Sequence, residues 1–427
     1  MKKNLLTGLL LATTCFVWAQ KANTVITSKA AETIIRQLAS DEMRGRKTFS
    51  PEIEKAADFI AAEFKAAGLQ TMPGAKGFRQ EFSTVSVKLI SLSATTDETV
   101  LDNKNVVLVT CQPAIKIDQS SGYEVATIKA GNNLFQEAIK LADAKKNTLV
   151  MVDESFAKNF TRLTFLKRNM FYTDKNIVFI LGNQIPATYL IEGKHEVMQQ
   201  KLANVVGLLP GKSKKEEYVI FSGHYDHIGI DKPENGDSIY NGANDDAAGT
   251  TAVIMLAQYF KAVNNNERTI VFAAFTAEEI GGYGSQHFSK QFDPAKVMAM
   301  FNIEMIGTDS KWGKNSAYIT GYEKTDMGTI LQKNLEGTGF TFYPDPYPDQ
   351  QLFYRSDNAT LARLGVPAHT ISTSKMDNEP NYHKASDHVE TLDMDNMAMI
   401  IQSIALSAKS IITGKDTPSR VKVEDLR

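Results

Sequence analysis

The sequence predicts an α/β fold: a three-layer sandwich with a mixed, mainly parallel central sheet covered by helices, interrupted by an inserted β-rich unit. Three observations predict it. From about Lys201 onward, continuous apolar runs of strand length alternate with amphipathic helical segments, as expected of strands buried on both faces. Between about 85 and 197, short β-branched runs dominate and one helical stretch intervenes. The 427 residues are enough for one large core and a smaller one. The expected division is 1–19 as a signal peptide, 20–84 and 198–415 as the two parts of the main domain, 85–197 as the insert, and 416–427 as a C-terminal tail.

The elements follow in order. Lys2 and Lys3 precede an apolar run from Leu5 to Val17 that ends in Val17-Trp18-Ala19, the layout of a secretory signal cleaved after Ala19. That run is too short to span a bilayer well. The mature chain is expected to be exported, periplasmic or extracellular, without stable membrane insertion. A helix is predicted over 27–40, capped by Thr27 or Ser28, with Ile34, Ile35 and Leu38 on one side. Met43 to Arg46 reads as a turn. A second helix runs from Glu52 to Ala67, with Ile53, Ala56, Ala57, Ile60 and Phe64 at helical spacing, and stops at Gly68. In the insert, strands are predicted over 85–93, 105–110, 148–152 and 176–181, a helix over 133–145 and a short apolar piece over 186–190. Beyond it, strands are expected at 205–208, 218–222, 269–275, 297–303, 317–320 and 368–371. Helices are expected at 247–263, 284–292, 325–335, 358–364 and 392–412.

Composition narrows the partners. The chain has 47 basic and 49 acidic residues and a net charge of -2, which gives no reason to expect nucleic acid or an acidic membrane. Its two cysteines are Cys15 and Cys111. Signal cleavage leaves Cys111 alone, without an internal disulfide, as a small buried hydrophobe at a strand end. His195, beside Glu196, reads as half of a solvated pair. A monomer or weak homo-oligomer is expected.

Five segments carry chemistry: GHYDHIG at 223–229, NGANDDAAG at 241–249, TAEEIGG at 276–282, NIEMIG at 302–307 and YHKASDH at 382–388. Each follows a β-like run or sits in a polar or Gly-rich turn, and ligands in open α/β sheets collect at the carboxyl ends of strands. His224 follows the strand at 218–222 and is a candidate metal ligand; Asp226, two residues on, is placed to orient its imidazole. In Asn244-Asp245-Asp246 one carboxylate can bridge two ions, although adjacent acids at a helix start also serve as caps. Of Glu278 and Glu279, one can bind metal while the other takes a proton from water. Glu304 ends the strand at 297–303, and His383 supplies a second imidazole. Asn302 reads as a supporting hydrogen-bond partner.

These segments, in this order, resemble the secreted zinc exopeptidases typified by bacterial leucyl aminopeptidase, whose relatives include glutamate carboxypeptidase II and glutaminyl cyclase. The resemblance covers roughly 27–84 and 197–415. It implies two Zn2+ ions bridged by Asp245, whose bond to Asp246 would be cis. One ion would be held by His224 and Glu304, the other by Glu279 and His383. It implies Glu278 as general base for a water activated by the two ions, and a peptide substrate cleaved at its N-terminal bond. Tyr382, Asp246 and Asp226 would support the ligands. Glu304 departs from the family, which more often has aspartate there; the longer side chain is expected still to coordinate. Arg355, Ser356 and Asp357 resemble the family's substrate-side loop and either shape a pocket or form a structural turn. The insert is similar to a protease-associated domain, with Asn103-Lys104-Asn105 leading into a strand at 106–109. Alternatives are a carboxypeptidase or dipeptidase using Arg355 as an anchor for the substrate carboxylate, glutaminyl cyclisation, and a binding protein with a degenerate metal site.

Overall fold

The computed structural model describes residues 24–426, so the expected signal peptide lies outside the described residues. Two helices start the described chain, each for a local reason. In α1 (Ser28–Leu38) the Thr27 hydroxyl caps Ala30 N, and Ala31, Ile34, Ile35 and Leu38 make one buried stripe. In α2 (Pro51–Ala66) Ser50 caps Ile53 N, proline occupies the first turn, and Ile53, Ala56, Ala57, Ile60 and Phe64 face the core. Between them Arg46 is fully buried. Its guanidinium donates to the carbonyls of Tyr225 (2.8 Å), Leu38 (2.7 Å), Asn241 (2.6 Å) and Gly242 (2.9 Å). Burial lowers its pKa to about 10, against the pull of Asp387, Asp226, Asp245 and Asp246.

The chain divides into two compact units, one of residues up to Glu81 and from Leu202, the other Phe82–Lys201. The chain leaves the first unit within β1 (Arg79–Thr96) and returns within β8 (Tyr189–Leu209). In the second unit, β2 (Thr99–Val100) pairs with β1 and β4 (Ala114–Asp118) pairs antiparallel with β8. A four-stranded sheet follows the order β3 (Val106–Val109), β7 (Ile177–Leu181), β6 (Thr148–Val152), β5 (Glu124–Ile128). The helix α3 (Leu134–Asp143) supplies Leu134 and Ala138 to one apolar core of this unit, together with Val107, Val150 and Phe179.

His195 is not solvated, contrary to the reading of a surface pair. Burial alternates along β8, so Tyr189, Ile191, Gly193 and His195 face inward while Glu192, Lys194 and Glu196 face out. The imidazole is 4% exposed, and burial lowers its pKa. Cys111 is buried as expected, and burial raises its pKa.

In the first unit the sheet runs β15 (Thr341–Pro344), β14 (Ser316–Ile319), β16 (Ala368–Ser372), β13 (Val297–Ile303), β9 (Lys214–His224), β12 (Arg268–Phe275), then β8. β12, β9, β13 and β16 are mutually parallel; β8 and β14 run antiparallel to their neighbours β12 and β16. A small hairpin of β10 (Gly229–Glu234) and β11 (Asp237–Tyr240) follows β9.

Alternation along the central strands shows why both faces are covered. Val219 and Phe221 of β9, Ile270 and Phe272 of β12, and Ala299 and Phe301 of β13 pack with α1, α2, α4 (Ala248–Val263) and α8 (Met394–Ser407). Ile220, Val271, Phe275 and Met300 point to the other face, against Phe288 of α5 (Tyr283–Ser289) and Leu361 of α7 (Asn358–Ala362). Helix α6 (Met327–Asn334) adds Leu331 to the first face. This is the expected α/β architecture, a mixed central sheet between helices. The predicted helix over 392–412 is two pieces, α8 and α9 (Lys409–Ile412), divided at Ala408. The aromatic residues between Phe340 and Phe353 cover a core edge: Phe340, Phe342, Tyr347 and Phe353 are all buried. Residues beyond 415 are tied down, with Arg420 donating to Val297 O (2.7 Å) and Val421 N to Gly365 O (3.1 Å). Among the described residues no helix is long and apolar enough to cross a membrane.

Candidate metal centre

The site is built at the carboxyl ends of three adjacent parallel strands. His224 ends β9 in register with Phe275 of β12, and Ser222 lies opposite Asn302 of β13. Just past the ends the backbone turns left-handed at Ala277 (φ 60°) and Met305 (φ 53°), which lifts the following or preceding side chain off the ladder. His383 arrives on a loop, itself at φ 55°.

Asp246 joins two of these ends, those of β9 and β13, to the start of the helix Ala248–Val263. Its Oδ2 accepts from His224 N (3.1 Å), and its Oδ1 accepts from Gly249 N (3.0 Å) and Met305 N (3.1 Å). Gly249, at the start of α4, has to be glycine: a Cβ there would lie 2.0 Å from Ile303 O and 2.4 Å from Asp246 Oδ2. The Asp245–Asp246 bond is cis. Burial pushes the Asp246 carboxyl well above the usual range, against the pull of His224.

Asp226 acts differently from the expectation. Its backbone carbonyl, not its carboxylate, meets His224 Nδ1 at 3.1 Å; the carboxylate is 3.8 Å away. The carboxylate instead accepts from Glu278 N (3.0 Å), Glu279 N (3.3 Å) and Thr48 Oγ1 (2.9 Å). A carboxylate two residues beyond His224 is drawn to these free N–H groups because the turn after β12 leaves them without ladder partners. Asp226 therefore orients the glutamate pair with its side chain and the imidazole with its main chain.

Asp245 stands at the centre. Its Oδ1 lies 3.3 Å from His224 Nε2, and its Oδ2 lies 3.2 Å from His383 Nε2. Glu304 Oε1 is 3.8 Å from His224 Nε2, and Glu279 Oε2 is 3.2 Å from His383 Nε2. The donors form two sets sharing Asp245: His224, Asp245 and Glu304, and His227, Asp245 and Glu279, each within 4.8 Å of one another. Imidazole nitrogens with carboxylate oxygens suit zinc and similar divalent ions. His224 Nε2 and Asp245 Oδ2, both buried and pointing into the cluster, make no hydrogen bond of normal geometry, as expected of atoms reserved for a cation.

Electrostatics agree with a cation site. Burial opposes a charge on His383, but Asp245 and Glu279 outweigh it and raise its pKa to about 10. At His224 burial is likewise outweighed, by Asp245 and Glu304. Asp245 is held below the ordinary range by His224 and His383 in spite of burial. Glu278 differs: burial drives its carboxyl well above the usual range, and Glu304 and Asp357 add to that. Asp357, 2% exposed, is raised by burial to about 7. Without a cation, acid-rich surroundings keep protons on the imidazoles; a divalent ion would replace them.

The remaining expected residues fall around this cluster. Glu304, Tyr382, Arg355 and Ser356 line a small cavity together with Met305, Tyr318 and Met376. Tyr382 stacks on His383 with ring centroids 4.0 Å apart. Asn302 Nδ2 donates to Ser356 Oγ (2.7 Å) while its Oδ1 accepts from Ser222 Oγ (2.8 Å). Asp357 does not line the cavity; it precedes α7, near Gly282.

The sequence reading missed two residues of the centre. His227, 1% exposed, places Nδ1 2.8 Å from Glu279 Oε1. Asp387 accepts from Asn244 N (2.9 Å) and Asp245 N (3.0 Å), fixing the central aspartate from behind. Burial raises its pKa to about 6. Both lie in segments singled out for other residues: His227 three after His224, and Asp387 four after His383.

Comparison with known proteins agrees with this geometry. Residues 204–408 match the model of Peptidase family M28. Over 204 residues the chain is 31% identical to a probable leucine aminopeptidase of Trichophyton verrucosum, covering 45% of this chain and 53% of that protein. The chain thus spans about half the length of the curated relatives it matches. An aminopeptidase from Aneurinibacillus sp. strain AM-1 has the same fold, with a TM-score of 0.56 at 16% identity over 96% of this chain and 98% of that one. A zinc aminopeptidase from Bacillus subtilis gives 0.53 at 16% identity over 94% and 97%. The stretch 204–408, which holds every donor of the cluster, is therefore the part of the chain that is similar to Peptidase family M28 and to a probable leucine aminopeptidase.

Proposed function

We propose that the protein is an exported, zinc-dependent aminopeptidase that hydrolyses the N-terminal bond of peptides. The observation that carries this reading is Asp245, with a separate imidazole facing each of its oxygens at 3.2–3.3 Å, a carboxylate arranged to bridge two ions. His224, Asp245 and Glu304 would hold one Zn2+, and Asp245, Glu279 and His383 the other. Two such ions supply Lewis acidity toward the scissile carbonyl and make water a nucleophile near neutral pH. Glu278 is the base: its raised pKa suits it to accept a proton from the attacking water and return it to the leaving amine. Asp226 orients it by holding its N–H.

Selection of the N-terminus is supported by charge. Glu304 is a carboxylate on the cavity wall, suited to a substrate ammonium. Arg355 favours a second reading, a carboxypeptidase, because it is a cation on the cavity wall. Residues 85–197 we take as a protease-associated-like accessory domain; support comes from the separate sheet β3-β7-β6-β5. Export rests on the apolar stretch ending at Ala19. The deciding experiment compares peptides with free, N-blocked and C-blocked ends, before and after chelation. Cleavage of free and C-blocked peptides alone, lost on chelation and restored by zinc, is expected. Release of C-terminal residues from N-blocked peptides would replace the aminopeptidase by the Arg355 reading.

A further inference from the structure

Two histidines of one turn, His224 and His227, meet the acidic cluster through different nitrogens. His224 presents Nε2 and holds Nδ1 against the Asp226 carbonyl. His227 presents Nδ1, and its Nε2 is buried with no hydrogen-bond partner among the described residues. His227 belongs to a donor set with Asp245 and Glu279, so its composition alone suggests a third imidazole ligand.

Distances argue for another role. Two atoms bound to one tetrahedral zinc at its usual bond lengths lie about 3.3 Å apart. His383 Nε2 fits that separation to both Asp245 Oδ2 and Glu279 Oε2, at 3.2 Å each. His227 Nδ1 fits neither: it is 2.8 Å from Glu279 Oε1 and 3.8 Å from Asp245 Oδ2. The first distance is that of a short N–H···O hydrogen bond, and the second is no direct contact. The two oxygens of Glu279 are thus divided, Oε1 toward His227 and Oε2 toward His383.

The ring of His227 is held rigidly enough to impose this division. Its backbone N–H reaches Arg46 O at 3.3 Å, and residue 227 bridges to Lys47. Gly242, at φ 60°, lies against the ring so closely that a Cβ would sit 2.5 Å from Cγ and Cδ2. The His383 ring meets it edge-on, with centroids 5.8 Å apart. The side chain has no room for a second rotamer on these sides.

We propose that His227 is a positioning residue: its Nδ1–H donates to Glu279 Oε1, so that Glu279 offers a metal only Oε2. This rests on the two-ion reading of the site. Without the donor, Glu279 is free to chelate through both oxygens, which raises the coordination number at the His383-side ion and shifts the carboxylate. Outer hydrogen-bond partners of this kind typically change metal affinity about 10–100-fold.

The test loads wild type, His227→Ala and His227→Asn with Co2+ or Zn2+ and measures bound metal, affinity by chelator competition, and the visible Co2+ spectrum. Asparagine places an N–H donor near the position of Nδ1. His227→Ala should weaken the His383-side ion about 10–100-fold and lower the visible Co2+ absorption, as a higher coordination number does; His227→Asn should recover most of both. Nitrogen NMR of the zinc-loaded wild type should show Nδ1 of His227 carrying a proton, a readout independent of how the variants fold. A metal-bound Nδ1 would overturn the proposal by making His227 a ligand. Equal affinity and spectrum in His227→Ala would overturn it by removing any role. A wild type that takes up no ion would refute the metal centre itself, which separates that failure from one confined to His227.

Discussion

Both units contain parallel strands whose carboxyl ends carry acidic residues, yet only one gathers them into a cluster. In the unit Phe82–Lys201, β6 ends at Val152 and Asp153 follows. Its carboxylate caps Ser155 N at 2.9 Å, and the Ser155 hydroxyl and then this N–H lower its pKa. In the other unit β9, β12 and β13 end side by side, and their acids, Asp226 buried and Glu278, Glu279 and Glu304 half-buried, act on one another. A carboxylate at a strand end is thus not a site in itself. What converts it is adjacency of three ends, plus left-handed turns at Ala277 and Met305 beside Glu278 and Glu304, which bring those side chains into one space. A capped carboxylate is already satisfied, whereas the buried group needs a cation.

The sharpest way to break this comparison is at the base. Chelation should abolish peptide hydrolysis and zinc should restore it. Glu278→Gln should lower kcat about a hundredfold or more with metal content unchanged. Asp153→Asn should change neither, as measured by turnover and bound zinc; a matching loss there would mean the capped acid is functional. Next in size are the histidines. His383→Ala should reduce metal content and rate together. His195→Ala, which opens a cavity at a buried position of the second unit, should lower the melting temperature while metal content stays at the wild-type value. Glu304 comes third: Glu304→Ala should lower occupancy of the His224-side ion, and Glu304→Asp should keep it, with retained metal in the alanine variant placing Glu304 outside the coordination sphere.

The smallest effect separates burial from burial with partners. His369, in the same unit as His224, is buried, and both of its ring nitrogens meet neutral partners. Its Nδ1 meets Thr320 O and its Nε2 meets Thr325 Oγ1, each at 2.8 Å. Burial lowers its pKa to about 4, whereas acidic partners raise those of His224 and His383. The unfolded chain therefore binds a proton at His369 near pH 6.5 that the folded chain refuses until about pH 4. Stability from this group is complete above pH 6.5 and is lost as pH falls toward 4, by at most ~3 kcal/mol at about 1.4 kcal/mol per pKa unit. Urea unfolding at pH 7 and pH 4.5 should show a smaller acid loss in His369→Gln than in wild type; equal losses would locate the acid sensitivity elsewhere.

Much of this was legible in the chain. Periodicity found the buried strands of the first unit because their apolar runs are unbroken, as in Val219 to Phe221, and caps such as Thr27 fixed helix starts. The candidate donors were legible because His224, Glu279 and Glu304 sit just past such runs, while Asp245 and His383 stand in polar turns. Less visible was β8, a strand of 21 residues, since Lys194 to Lys201 is mostly polar and reads as a linker. The β10–β11 hairpin went unread although Asn235-Gly236, both at positive φ, is a strong turn signal. His227 was hidden for a different reason. Its partner Glu279 is 52 residues away, and no local pattern reveals which ring nitrogen will face it.

Arg46 has a consequence for anyone transplanting this centre. Four carbonyls, three of them on the turns that carry Asp226, His227 and the 241–249 segment, converge on a guanidinium that lies far upstream of residue 204. A chimera that grafts only 204–408 into a foreign scaffold would strip the Tyr225, Asn241 and Gly242 carbonyls of their shared donor and leave them facing unfilled space. The portable module is therefore discontinuous. It has to include the Met43–Arg46 turn and the two helices that hold it, and a graft made without them should yield protein that is misassembled at the ligand turns even where its strands pair correctly.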